Sequence, residues 1–174
     1  MVLPLCSESI LHLTSTMSII SDAIQAKCLA FSDRIIKLND YLLVQAVAAH
    51  EDYRKPKIQK KGKQTSSFLR QTSDISVAAV LVYLQSVSNL CNQLLRAGTS
   101  IGANNAEASS AISKADFKSK SYIALKEARE SMYWLELLHR NNYLTDIQFN
   151  SLYADAEELV KVLTHRCKKL DGVE

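Results

Sequence analysis

Glu136 and His139 stand three residues apart in the run Glu-Leu-Leu-His. On a helix that spacing puts a carboxylate and an imidazole on one face. Such pairs hold metal in di-iron bundles, which need a second Glu-x-x-His and two further glutamates. Glu157, Glu158 and His165 downstream fall at other spacings. A metal-binding bundle is therefore the weakest of the readings, and no metal or cofactor is expected. There is no Ser-His-Asp, Cys-His or phosphate-loop pattern, so no catalytic residue is assigned and the chain is read as a non-enzyme. Cys6, Cys28, Cys91 and Cys167 form no Cys-x-x-Cys pair. Three of them fall on apolar helix faces and read as buried, reduced thiols of a cytoplasmic protein.

Charge offers a different chemistry, the neutralisation of phosphates. Arg54, Lys55, Lys57, Lys60, Lys61, Lys63 and Arg70 follow one another with no acid between them. Without these seven, the 21 basic residues fall to 14 against 18 acidic ones, so the formal balance moves from +3 to −4. The positive charge is thus local. A basic, Pro- and Gly-punctuated run of this kind reads as an exposed loop that contacts RNA or DNA and releases counterions, with simple solubility as the alternative. Only Tyr53 and Phe68 interleave with it, so base-sequence reading by the loop is not expected.

Lys114, Lys118 and Lys120 open a helix, where positive charge opposes the dipole. They are a second candidate for an anionic partner, solvated lysines being the plainer reading. Arg96, Glu107, Arg129, Glu130 and Glu136 could form an ion-pair network that fixes helix register. Phosphate contact by Arg96 or Arg129 is the sharper alternative.

These groups must be positioned by helices. The 174 residues include only four Gly and two Pro, which argues for long helices. Residues 1–16 read as a poorly ordered extension without a secretory pattern, and 17–174 as one bundle domain. No apolar run is long enough to span a membrane. Ser21 is expected to cap a first helix, whose residues Ile24, Cys28, Phe31, Ile35, Leu38 and Leu42 alternate spacings of four and three. That is the seam of helices packed side by side.

The basic loop is expected over about 51–73, and Asp74 should cap the second helix. There the seam Val80, Leu84, Val87, Cys91, Leu94, Gly98, Ile101, Asn105, Ala108 keeps register through two glycines. The unbroken register predicts one continuous helix, with a neighbour approaching closely at Gly98, Gly102, Ala103 and Ala106. A break near Thr99 is the alternative. Ser113 starts the third helix through a capping-box variant, and Thr145 starts the fourth through a capping box.

The expected architecture is an all-α, up-down-up-down antiparallel four-helix bundle. An arm formed by Leu43–Glu51 and Ile75–Gln85 would extend beyond it, with the loop at its tip. Ile123, Tyr133, Trp134 and Leu137 form a second apolar stripe on the third helix. A bundle helix needs one buried stripe, so the surplus predicts a homo-oligomer interface.

The run GTSIGANNAEA, the spaced Ser113, Lys114 and Phe117, and ALKEARE followed by YWLELL resemble a bacterial four-helix bundle family. Its founding members are encoded by intervening sequences within large-subunit ribosomal RNA genes. The resemblance covers about Met17–Leu43 and Gln85–Leu170, so residues 44–84 look inserted. Asn105 departs from the family pattern, where an apolar residue is usual. The resemblance implies a non-enzymatic homo-oligomer, often a ring of five, with a role in RNA binding. A related branch is the accessory protein of diversity-generating retroelements, in which the ring assists a reverse transcriptase. The expected partners are therefore a second copy of the chain and RNA, with an adaptor for a reverse transcriptase as the alternative.

Overall fold

The computed structural model describes the backbone of residues 7–54 and 66–173, and side chains within 21–48, at 79 and over 81–173. Four helices account for nearly all of it: α1 (Ser7–Arg54), α2 (Ser66–Ser109), α3 (Lys114–Arg140) and α4 (Asp146–Asp171). Each packs antiparallel on the next, and α4 closes against α1, giving a four-helix bundle.

The heptad seams set the packing. Cys28, Phe31 and Ile35 of α1, Leu94 and Ile101 of α2, Ala128 and Leu135 of α3, and Leu159 and Leu163 of α4 are all buried in one core. The caps are local and follow from residue type. Ser113 accepts from the Asp116 amide at 3.1 Å, while Asp116 reaches back to the Ile112 amide at 3.2 Å, one residue earlier than a capping box requires. Thr145 and Gln148 form the complete reciprocal box. Asn142 and Gly172 take left-handed φ values of 61° and 73° just past the ends of α3 and α4, as helix stops do.

α2 is one helix through Gly98 and Gly102. A Cβ built at Gly98 would stand 3.0 Å from Ile35 Cγ1, so glycine is what lets α1 lie this close. The approach allows the Ser32 hydroxyl of α1 to donate to the Gly98 carbonyl at 3.2 Å. Ala103 and Ala106, expected at the same contact, are exposed instead. They are one and four residues past Gly102, off the seam that carries Gly98, Ile101 and Asn105.

Both long helices begin earlier than their caps suggested. α1 starts at Ser7, and Ser21 lies inside it, its hydroxyl 2.9 Å from that of Ser109. α2 starts at Ser66 and runs through Asp74. The stretches 7–20 and 66–73 contain no Gly or Pro, so nothing in them stops a helix. Residues 7–16 therefore form the first turns of α1, and the connection between α1 and α2 is shorter than 51–73. Residues 1–6, the loop lysines from Lys55 to Lys63, and the side chains of Arg54 and Arg70 lie outside the described residues.

α1 has 48 residues and α3 has 27, or about 72 Å against about 40 Å at 1.5 Å per residue. Tyr41 to Ala46 of α1 and Tyr83 to Val87 of α2 flank the α3–α4 turn. The two long helices continue past that point, to Arg54 and from Ser66. On the α4 side the bundle closes through polar contacts with α1. Lys27 pairs with Glu158 at 2.6 Å, and Arg34 pairs with Asp155 and donates to the Ser151 hydroxyl at 2.8 Å.

Candidate functional site

Two polar regions sit at opposite ends of the bundle. The first is where α2 ends and α3 begins. Asn105 is fully buried and bridges three helices. Its amide nitrogen donates to Gln25 Oε1 of α1 at 2.5 Å, and its oxygen accepts from Arg166 Nη1 of α4 at 2.7 Å. The Arg166 guanidinium lies over the Phe117 ring, 5.6 Å from its centroid. Burial disfavours its charge and lowers its pKa. The same guanidinium weakly opposes the effect of burial on Cys28, whose thiol is pushed up to about 11.

The lysines at the start of α3 belong to this end. Lys118 pairs with Asp171 at 2.6 Å, Tyr122 donates to the same carboxylate, and Lys120 pairs with Glu107. Asp171 is held below the usual carboxylate range by these two donors. The dipole misfit of positive charge at this N-terminus is thus answered by acids from α4 and α2, and Lys114 is exposed.

Among the described residues Glu107, Glu130 and Glu136, the acids expected to form a network with Arg96 and Arg129, have other partners. Glu107 is taken by Lys120, and Glu136 pairs with Arg140 one turn along its own helix at 2.7 Å. Glu130 accepts from the Trp134 indole at 3.1 Å. Arg96 lies near Glu127, whose pKa is raised chiefly by burial, with Arg96 opposing that rise. Arg129 has the Cys167 thiol in its field. The reason is axial distance: Glu107 faces the start of α3, and Glu136 is near its end.

The second region surrounds the α3–α4 turn. A cleft of about 640 Å³ opens there between α1, α2 and the turn, lined by Tyr41, Gln45, Tyr83, His139, Asn142 and Tyr143 among others. His139 stacks flat on Phe149, with centroids 4.2 Å apart, and its Nε2 lies 2.8 Å from Asp146. Glu136 and His139, the candidate metal pair, thus have separate partners, Arg140 and Asp146. Among the described residues no three His, Cys, Asp or Glu side chains converge as metal ligands, and no helix is long and apolar enough to cross a membrane. Tyr143 is drawn up in pKa by burial first, then by Tyr83, with which it shares a hydrogen bond. Tyr41 and Tyr83 are each 44% exposed.

The stripe on α3 is mixed. Tyr133 is 56% exposed and packs edge-on against Trp134, centroids 5.0 Å apart. Ile123, Trp134 and Leu137 are half-buried. Sequence reasoning passed over a comparable face on α1, where Leu29 and Ile36 are exposed. The seven-residue step from Leu29 to Ile36 was the available signal. It also passed over Tyr41, Tyr83 and Tyr143, which only the fold gathers.

The family model for 23S rRNA-intervening sequence proteins matches residues 73–165. The chain belongs to that family. A crystal structure of a protein of unknown function from the S23 ribosomal protein family of Bacteroides thetaiotaomicron is similar. It is 33% identical, with a TM-score of 0.58, over 86% of this chain and 98% of that one. No curated protein matches. The span shared with the 23S rRNA-intervening sequence family begins at residue 73, ahead of Gln85. Residues 73–84 therefore belong to the family pattern and are not part of an insertion. The span takes in Asn105, all of α3 and most of α4, and leaves α1 outside.

Proposed function

We propose that this protein is a non-enzymatic, self-associating bundle that binds nucleic acid, RNA in preference to DNA, as a scaffold. What carries the reading is the basic run from Arg54 to Arg70, in a member of a family named for an intervening sequence of 23S rRNA. Its two ends ride on α1 and α2, the helices that continue past the α3–α4 turn. A cluster of cations set off from a net negative remainder concentrates phosphate attraction in one place. In an assembly of several copies the runs would act together and raise avidity.

The test is a salt titration of RNA binding by the wild type and by a variant with Lys55, Lys57, Lys60, Lys61 and Lys63 changed to Ser. Each lost phosphate contact should flatten the slope of log affinity on log salt by about 0.7 for single strands. An unchanged slope removes this segment from the interface. Self-association rests on the α3 stripe, with the ring of Tyr133 at the surface. Trp134→Glu should lower the mass seen by light scattering, and an unchanged mass would sink that part.

A second reading, an adaptor that holds a reverse transcriptase, is favoured by the exposed apolar face on α1, which offers protein-binding surface apart from α3. It predicts co-purification of a protein partner that persists after ribonuclease treatment.

A further inference from the structure

We propose that the cleft at the α3–α4 turn takes an unpaired nucleobase of a bound single strand. This rests on the RNA-binding reading and adds where a base, as distinct from a phosphate, is held.

The size fits. About 640 Å³ is within the range of small-molecule sites, about 300–1,000 Å³, and is ample for one base and its ribose. The lining chemistry fits as well. Tyr41 and Tyr83 contribute rings that are nearly half exposed although both belong to packed helices. His139 and Tyr143 add two more rings. Bases stack on such rings with little regard to sequence, because every base has a π-face. Gln45 and Asn142 supply side-chain amides, each with donors and an acceptor that can meet a base edge.

Charge decides between base and phosphate. Among the described residues no Lys or Arg lines the cleft, and the one carboxylate among them, Asp146, is 2.8 Å from His139. Among these side chains a phosphate would find no lysine or arginine, whereas an uncharged heterocycle needs none. Position completes the case. The cleft is at the end of the bundle where α1 runs on to Arg54 and α2 starts at Ser66. From Tyr41 to Arg54 is about 20 Å along α1. A strand whose phosphates lie on the basic run could drop one base into the cleft.

The experiment uses the full chain and two polymers of equal length: single-stranded oligoadenylate, and the same ribose-phosphate backbone without bases. The wild type should bind the base-bearing strand about tenfold more tightly than the abasic one. Tyr83→Ala and Tyr41→Ala should each remove most of that difference while leaving abasic binding and its salt slope unchanged. Tyr83→Phe, which keeps the ring and loses the hydroxyl shared with Tyr143, should bind like the wild type.

Equal affinity for both polymers would overturn the base site and leave the phosphate-binding reading standing. Binding of neither would overturn both. A base preference that survives Tyr41→Ala would place the base elsewhere. Adenosine alone binding as tightly as the oligonucleotide would show a nucleoside site and not an RNA one.

Discussion

The two ends of the bundle use polar residues in opposite ways. At the α2–α3 end they are spent on one another. Asn105 links Gln25 to Arg166, Asp171 takes Lys118 and Tyr122, and Glu107 takes Lys120. At the α3–α4 end the rings of Tyr41 and Tyr83 stay half in solvent around an open cleft. The lesson is that similar residue types close one end and leave the other available. What separates the ends is whether a partner helix brings a complementary group within reach.

The largest expected effect is at the closed end. Asn105→Ala removes the acceptor of the partly buried Arg166 and the donor to Gln25. Leaving a guanidinium unsatisfied should cost about 3 kcal/mol in urea denaturation followed by circular dichroism. A loss below about 1 kcal/mol would mean that the bridge does not latch this end.

A pH series sharpens the comparison. Burial raises the thiols of Cys28, Cys91 and Cys167, Cys28 to about 11. A raised pKa means that the unfolded chain ionises first. The stability is fully present below pH 9 and is lost as pH rises from 9 towards 11, by up to about 2–3 kcal/mol for Cys28. Cys28→Ala should flatten that decline, and Cys91→Ala, on the half of the seam nearer the cleft, should flatten it less. Equal slopes for wild type and Cys28→Ala would count against the buried thiol.

The two glycines between the ends should respond with opposite signs. At Gly98 an added methyl meets the β-branched, buried Ile35 at 3.0–3.4 Å. Such a side chain has little rotamer freedom to yield, so Gly98→Ala should destabilise by about 1 kcal/mol. At Gly102 the nearest atom is Cys28 Cβ at 3.4 Å, an ordinary contact. There the helical preference for alanine should prevail, giving a gain of up to about 1 kcal/mol. Thermal or urea melts of the pair, run together, decide it.

The smallest effect is expected at the open end. Tyr41→Ala should shift stability by less than about 0.5 kcal/mol, as surface changes do. A loss of 2 kcal/mol or more would make the Tyr41 ring a packing element, and the contrast between the ends would collapse.

What could be read from the chain alone was whatever repeats or caps locally. The seam of α1, the continuity of α2 through Gly98 and Gly102, and the Ser113 and Thr145 caps depend on residues within a few turns of one another. Hydrophobic period and capping chemistry report on that scale. Helix starts were legible only where a strong cap coincided with a break. Ser21 and Asp74 look like caps, but no glycine or proline before them interrupts the helix.

The partners of the charged and polar side chains were decided by the tertiary structure. Gln25 and Asn105 are 80 residues apart, Asn105 and Arg166 are 61 apart, and Lys27 and Glu158 are 131 apart. Which of several available groups pairs with which depends on the axial stagger of the helices, and a seven-residue repeat does not encode that offset. The cleft has the same origin. Tyr41, Tyr83 and Tyr143 come from three elements, and they meet because α1 and α2 outlast the turn that joins α3 to α4.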